Sequence, residues 1–121
     1  MALTTVVADL AAFPIKPGAW SGIVSIFAHL PQPLRRTVHA AVVRGLAPGG
    51  VFILEAYTPA QIAFGTGGPK DPALLMRLAD LRAELAGLDL LVARESEREV
   101  WEGAGHTGRA AVVQFLGRRA P

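Results

Sequence analysis

The sequence predicts an α/β fold with parallel central strands and an antiparallel C-terminal hairpin. Three observations carry this. Short β-branched apolar runs alternate with stretches of helical periodicity. One of those runs, Val51–Tyr57 (VFILEAY), is apolar on both faces, as a central parallel strand is. The last third of the chain holds two long strand-like stretches joined by a short glycine-rich turn.

Leu3–Ala8 (LTTVVA) is predicted as a first buried strand, with Asp9 at its carboxyl end. Pro14, Pro17 and Gly18 make residues 10–21 an irregular connection. Ile23–Phe27 (IVSIF) is predicted as a second strand. Pro33 suits the first turn of a helix, where its missing N–H costs nothing. From there Leu34, Val38, Ala41, Val42 and Leu46 share one face. Arg35, Arg36, His39 and Arg44 lie mostly off it, and the arginines are expected to form a solvated side. Ala47-Pro48-Gly49-Gly50 ends the helix in a tight turn before the third strand, Val51–Tyr57.

Residues 58–70 form a Gly/Pro/Thr loop. Asp71-Pro72 reads as an N-cap followed by proline at the first helical position. Leu74, Leu78, Leu81 and Leu85 make a helical stripe that Gly87 ends. Leu88–Val100 and Arg109–Leu116, joined across Glu102–Gly108, are predicted to pair as the hairpin. With 121 residues, and no repeat or linker, the chain is expected to be a single domain, 1–121.

Composition narrows the function. Hydrophobic residues are 51% of the chain, enough for a core. Cysteine is absent, which excludes disulfides, thiolate metal sites and thiol nucleophiles. The net charge of +2 gives no argument for nucleic acid. No apolar stretch approaches the roughly 18 residues of a spanning helix. The N-terminus lacks a basic leader, so no membrane partner and a cytoplasmic location are expected.

In parallel sheets ligands sit beyond the carboxyl ends of the strands, here Asp9, Phe27–His29 and Glu55–Tyr57. Ser25, Phe27 and His29 alternate to one side and can line one pocket. The His29 imidazole, with an ordinary pKa of about 6.5, suits proton transfer or substrate contact. Tyr57 is a substrate-contact candidate. Glu55, within an apolar strand, is either a site residue or a structural acceptor. Gly65–Gly68 lacks the Lys-Ser/Thr of a phosphate-binding loop. Glu95, Glu97 and Glu99 alternate on one strand face and read as a solvated edge. No metal site is expected.

Several segments, in their order, carry a resemblance: Val7-Ala8-Asp9-Leu10, Ile23-Val24-Ser25-Ile26-Phe27-Ala28-His29-Leu30-Pro31, Leu46-Ala47-Pro48-Gly49-Gly50-Val51 and Glu55-Ala56-Tyr57. Gly67-Gly68-Pro69, Glu102-Gly103 and Gly105-His106-Thr107-Gly108-Arg109 follow. Together these resemble class I S-adenosylmethionine-dependent methyltransferases, most of all the small bacterial enzymes related to tellurite-resistance and thiopurine methyltransferases. The resemblance implies a Rossmann-like sheet and S-adenosylmethionine as cofactor. Asp9 would accept from the adenine amino group, the backbone at Leu10 would read the ring edge, and Ser25 and Phe27 would lie beneath the methionine end. His29 and Tyr57 would face a small-molecule nucleophile.

Two departures accompany it. No Gly-x-Gly-x-Gly precedes Asp9, and Gly22 stands where the family commonly carries an acid. The expected architecture is therefore the family's carboxyl-terminal portion, a partial, truncated domain, weak or inactive as a methyltransferase by itself. The alternative is a non-catalytic remnant that self-associates or binds a partner. With Leu3–Ala8 and Ile23–Phe27 both short of neighbours, either the first strand moves in beside the second, or a homodimer or a missing N-terminal half completes the sheet.

Overall fold

A computed structural model describes residues 1–121. Its framework is a four-stranded mixed sheet in the order β1-β2-β4-β3. β1 (Trp20–Ile26) leads through α1 (Gln32–Gly45) into β2 (Leu46–Tyr57). Two 3-10 turns (Pro59–Ala63 and Pro72–Leu74), α2 (Leu78–Glu84), β3 (Leu88–Trp101) and β4 (Thr107–Arg119) follow. β1 and β2 are parallel, and both pairings of β4 are antiparallel. The predicted α/β class, with its parallel pair and C-terminal hairpin, is the one observed.

Local chemistry explains the joins. Pro31 precedes α1, and its carbonyl accepts the Arg35 N–H at 2.9 Å. The predicted Ala47–Gly50 turn is looped out between the pairs Trp20↔Leu46 and Gly22↔Val51, so β2 reads through it as a bulged strand. Gly50 is required there, because a Cβ would lie 2.9 Å from the carbonyl oxygens of Ala47 and Trp20.

One face of the sheet carries α1 and α2. Phe52, Leu54 and Ala56 of β2 and Val113 and Phe115 of β4 pack there against Val42, Met76, Leu81 and Leu85. A smaller cluster of Tyr57, Leu75, Val100, Ala110 and Val112 forms on the other face. On that face too, Glu55 of β2 accepts hydrogen bonds from Arg98 of β3 (Nε, 2.9 Å) and Gln114 of β4 (2.7 Å). Glu55 is thus the structural acceptor of the two readings. Burial pushes its carboxyl up, but the Arg98 and Gln114 hydrogen bonds and the Arg98 charge outweigh this and hold it below its ordinary value.

Three expectations need correction. Leu3–Ala8 is not a strand: it has no regular structure, and Val6 and Val7 are 64% and 104% exposed. β-branched composition favours a pleated, half-buried surface but does not supply the neighbour whose hydrogen bonds make a strand. The leucine-rich helix is broken. Asp71 caps only a 3-10 turn, and the Met76 N–H then leaves helical geometry to donate to the Tyr57 carbonyl at 3.0 Å. That extended step sends Leu75 into the smaller cluster and Met76 into the larger, which no continuous helix could do.

Arg35 is not on a solvated side, and His39, read as lying mostly off the apolar face, is buried with it; they are 1% and 3% exposed. Glu84 of α2 makes this possible. Arg35 Nε and Nη2 each donate to its carboxylate at 2.8 Å, and His39 Nδ1 lies 3.0 Å from Oε1. Burial lowers the pKa of His39, although the Glu84 charge works the other way.

Removing one partner of a buried ion pair strands the other. Glu84→Ala is therefore expected to cost about 3–5 kcal/mol in urea unfolding. A loss below about 1 kcal/mol would show that water reaches Arg35 readily.

Candidate functional site

The carboxyl ends of β1 and β2 open onto a polar hollow of about 440 Å³. Its walls include Phe27, His29, Tyr57, Pro69, Glu102 and His106.

Phe27 shapes one wall. Its N–H still donates to the Glu55 carbonyl at 2.8 Å, extending the β1–β2 pairing by one residue. Its φ of 49° makes it the one non-glycine residue in the left-handed region. Such a residue costs of order 1 kcal/mol and persists where its surroundings fix it. Here the fixing contact is Tyr57, whose ring stacks on Phe27 at 4.6 Å between centroids.

His29 is committed at both nitrogens. Nδ1 lies 2.7 Å from the Leu74 carbonyl oxygen, and Nε2 lies 3.3 Å from the Tyr57 backbone nitrogen. The Leu74 carbonyl can only accept and the Tyr57 N–H can only donate. The proton therefore sits on Nδ1, and Nε2 accepts. Burial lowers the pKa, the Leu74 bond opposes this, and the Arg35 charge lowers it further. His29 is a neutral tie between β2 and the Leu74 turn, with no free nitrogen for general-base work.

Tyr57 is 2% exposed. Gly68 lies flat on its ring: a Cβ there would be 2.6 Å from Cδ2, and the φ of +83° suits glycine. Burial, then the Glu102 charge, raises the phenol pKa. Gln61, fully buried, holds this glycine loop in place. Its Oε1 accepts the Ala111 N–H at 2.9 Å, and its Nε2 donates to Thr66 Oγ1 at 2.8 Å and the Gly67 carbonyl at 3.1 Å. The loop in turn meets the β3–β4 turn, which brings His106 to 6.4 Å from the Tyr57 ring.

The six sequence candidates divide. Phe27, His29 and Tyr57 meet in this hollow. Leu10 and Ser25 line a second one, an apolar groove of about 570 Å³ along β1 that also takes in Phe13 and Trp20. Asp9 is exposed beside Leu10, and its Oδ1 accepts the Ala11 N–H at 2.9 Å in a local turn. Gln61, Glu102 and His106 were not foreseen as site residues. His106 and Gly67-Gly68-Pro69 carried a signal only as neighbouring motifs, because their meeting with Tyr57 depends on the hairpin register.

No protein-family model and no curated protein matches the chain. Solved structures do. TehB from Haemophilus influenzae superposes with a TM-score of 0.72 at 15% identity, covering 98% of this chain and 42% of that one. A SAM-dependent methyltransferase from Methanosarcina mazei gives 0.69 at 12%, covering 95% and 66%. The N-methyltransferase NodS from Bradyrhizobium japonicum gives 0.62 at 14%, covering 94% and 58%. This chain thus spans 42% to 66% of the length of these three structures. At such identities the likeness establishes the fold.

Two outcomes test the site's construction. His29 and His39 both have folded-state pKa values below the ordinary 6.5. The unfolded chain then binds more protons once the pH falls below that value, so stability is complete above it and lost beneath it. Urea midpoints are expected to fall from about pH 7.5 to about pH 5.5, with a shallower fall in His29→Gln; a flat profile would refute the buried neutral imidazoles. Gly68→Ala combines a clash with a left-handed φ and is expected to cost more than about 1 kcal/mol by the same measurement.

Proposed function

We propose that this chain, which carries the fold of S-adenosylmethionine-dependent methyltransferases, is a methyltransferase-like protein acting on a small-molecule nucleophile, with little turnover as this chain alone. One observation carries the reading. The segment Ser25–His29 walls both hollows: Ser25 and Ala28 face the apolar groove, while Phe27 and His29 face the polar one. Methyl transfer brings the sulfonium methyl and the acceptor atom to about 3–3.5 Å, so a cofactor in the first hollow and an acceptor in the second would have to meet past the end of this shared segment.

The residues present fit part of the cofactor. Leu10 and Ser25 line the apolar groove, where an adenine ring would lie, and the exposed Asp9 carboxylate has a second oxygen to accept from its amino group. The glycine-rich loop and ribose-binding acid that the resemblance calls for are not among residues 1–8. When bound, S-adenosylmethionine supplies a methyl group on a positively charged sulfur. The chain's own contribution is to position the acceptor against the Phe27 and Tyr57 walls. Glu102 and His106 stand at the mouth, where a proton released by the acceptor can leave. No helix is long and apolar enough to cross a membrane, and a cytoplasmic location belongs to the same proposal.

A second reading is a non-catalytic module that keeps the fold for association. The uncovered side of β1 favours it, with Val24 at 63% and Ile26 at 48% exposed.

Calorimetry with S-adenosylhomocysteine separates the two. Weak binding is expected, reduced in Asp9→Ala by about 1.5–3 kcal/mol, the worth of a hydrogen bond to a charged group. Labelled S-adenosylmethionine offered with small thiols is expected to stay at background. No detectable heat with the unaltered chain would sink the methyltransferase reading and leave the second. Unchanged affinity in Asp9→Ala would remove Asp9 from the site.

A further inference from the structure

We propose that the open edge of β1 is closed by residues 3–8 of a second copy of this chain, the two copies exchanging their N-terminal segments. The inference does not depend on the cofactor reading.

β1 pairs with β2 on one side and with nothing on the other. Edge strands are ordinarily protected by charge, proline or a cover, since their free N–H and C=O groups template further pairing. The opposite edge, β3, is protected: Arg94, Glu95, Glu97, Arg98 and Glu99 lie along it. β1, with the sequence WSGIVSI, has no charge and no proline. Beside it runs the apolar groove of about 570 Å³.

The same chain holds an unpaired strand former. Residues 1–8 engage in no backbone hydrogen bond, and Leu3, Val6 and Val7 stand in solvent. Their own β1 is not the edge they fill. The chain is pinned just after them: the N–H groups of Ala12 and Phe13 both donate to the Asp9 carbonyl at 2.9 Å. Leu10 and Phe13 then line the groove, and the Ile15 side chain lies against Gly45 at the end of α1. Residues 9–15 therefore hold the segment off its own sheet. A two-fold partner supplies the same segment without that tether, and the exchange is reciprocal. LTTVVA and WSGIVSI differ in length by one residue, and a parallel pairing that sets Leu3 beside Ser21 sets Val6 beside Val24.

The absence of cysteine makes the test clean. Two variants, Val6→Cys and Val24→Cys, are mixed under mild oxidation. A disulfide-linked dimer between the two is expected. Neither variant alone should give it, nor should Val6→Cys mixed with Leu91→Cys on the β3 side. Light scattering of the unaltered chain at micromolar concentration is expected to give twice the chain mass. Deleting residues 1–8 should give a monomer that still unfolds cooperatively in urea, since those residues support nothing within their own chain. A monomeric unaltered chain would overturn the exchange. So would efficient cross-linking of Val24→Cys to itself, which would mean that two β1 edges pair directly.

Discussion

The buried carboxylate of Glu84 fixes the helical layer, and much of the site follows from where it sits. A carboxylate out of water must be met by cations or hydrogen bonds. Arg35 meets it through two nitrogens and His39 through a third, all from α1. That geometry sets α2 against α1 over the sheet, with Arg35 Nη1 left buried and unpartnered as a residual cost. A hydrophobic pair of like volume would stabilise as well or better. The ion pair contributes direction: few placements of α2 satisfy a two-nitrogen grip and an imidazole together. Once α2 is placed, the Leu74–Met76 step is placed, and the Leu74 carbonyl stands where His29 can donate to it. His29 then caps the Tyr57 N–H at the end of β2. The line from helix packing to the mouth of the site runs through Arg35, Glu84, the Leu74 carbonyl and His29, and both His29 nitrogens are used.

The two edges and two faces of the sheet are treated differently. The helical face is closed by leucines, and the other carries a polar lattice in which Glu55, Arg98 and Gln114 tie β2, β4 and β3 together. That lattice ends before β1, where Val24, Ile26 and Ile53 stay uncovered. The hairpin edge is charged and the β1 edge is not. The polarity of the surface thus falls toward β1, the side on which Leu10, Phe13 and Trp20 gather.

What could be read from the sequence was what local chemistry decides. The second strand, the proline-started helix, the both-faces-apolar strand and the glycine hairpin were legible because turn residues and periodicity bound each one. Phe27, His29 and Tyr57 were legible as a group because strand ends in parallel sheets point to one place. The remainder required partners far along the chain. Arg35 looks solvated, and His39 lies off the apolar face, until Glu84, more than forty residues away, is set against them. Leu74, Leu78, Leu81 and Leu85 share a helical period, yet Leu75 and Met76 serve opposite faces of the sheet, which periodicity cannot express. Leu3–Ala8 has the composition of a strand and no neighbour within its own chain, and propensity alone does not make a ladder.

The left-handed turn at Phe27 is the step that makes two hollows from one strand. In a regular strand Ser25, Phe27 and His29 would share one side, as their alternation suggests. The φ of 49° breaks that period at its middle residue. Ser25 stays with the apolar groove, Phe27 and His29 swing to the polar hollow, and Ala28 returns to the groove. The strain is held by two contacts that a straight strand would lack, the Phe27–Tyr57 stack and the doubly bonded His29 ring. Relaxing Phe27 to an extended conformation would release of order 1 kcal/mol but forfeit both. Gly68 also lies against the Tyr57 ring, where a Cβ would come within 2.6 Å of Cδ2. The boundary between the hollows is thus set by the backbone turn at Phe27 and the Tyr57 ring stacked on it.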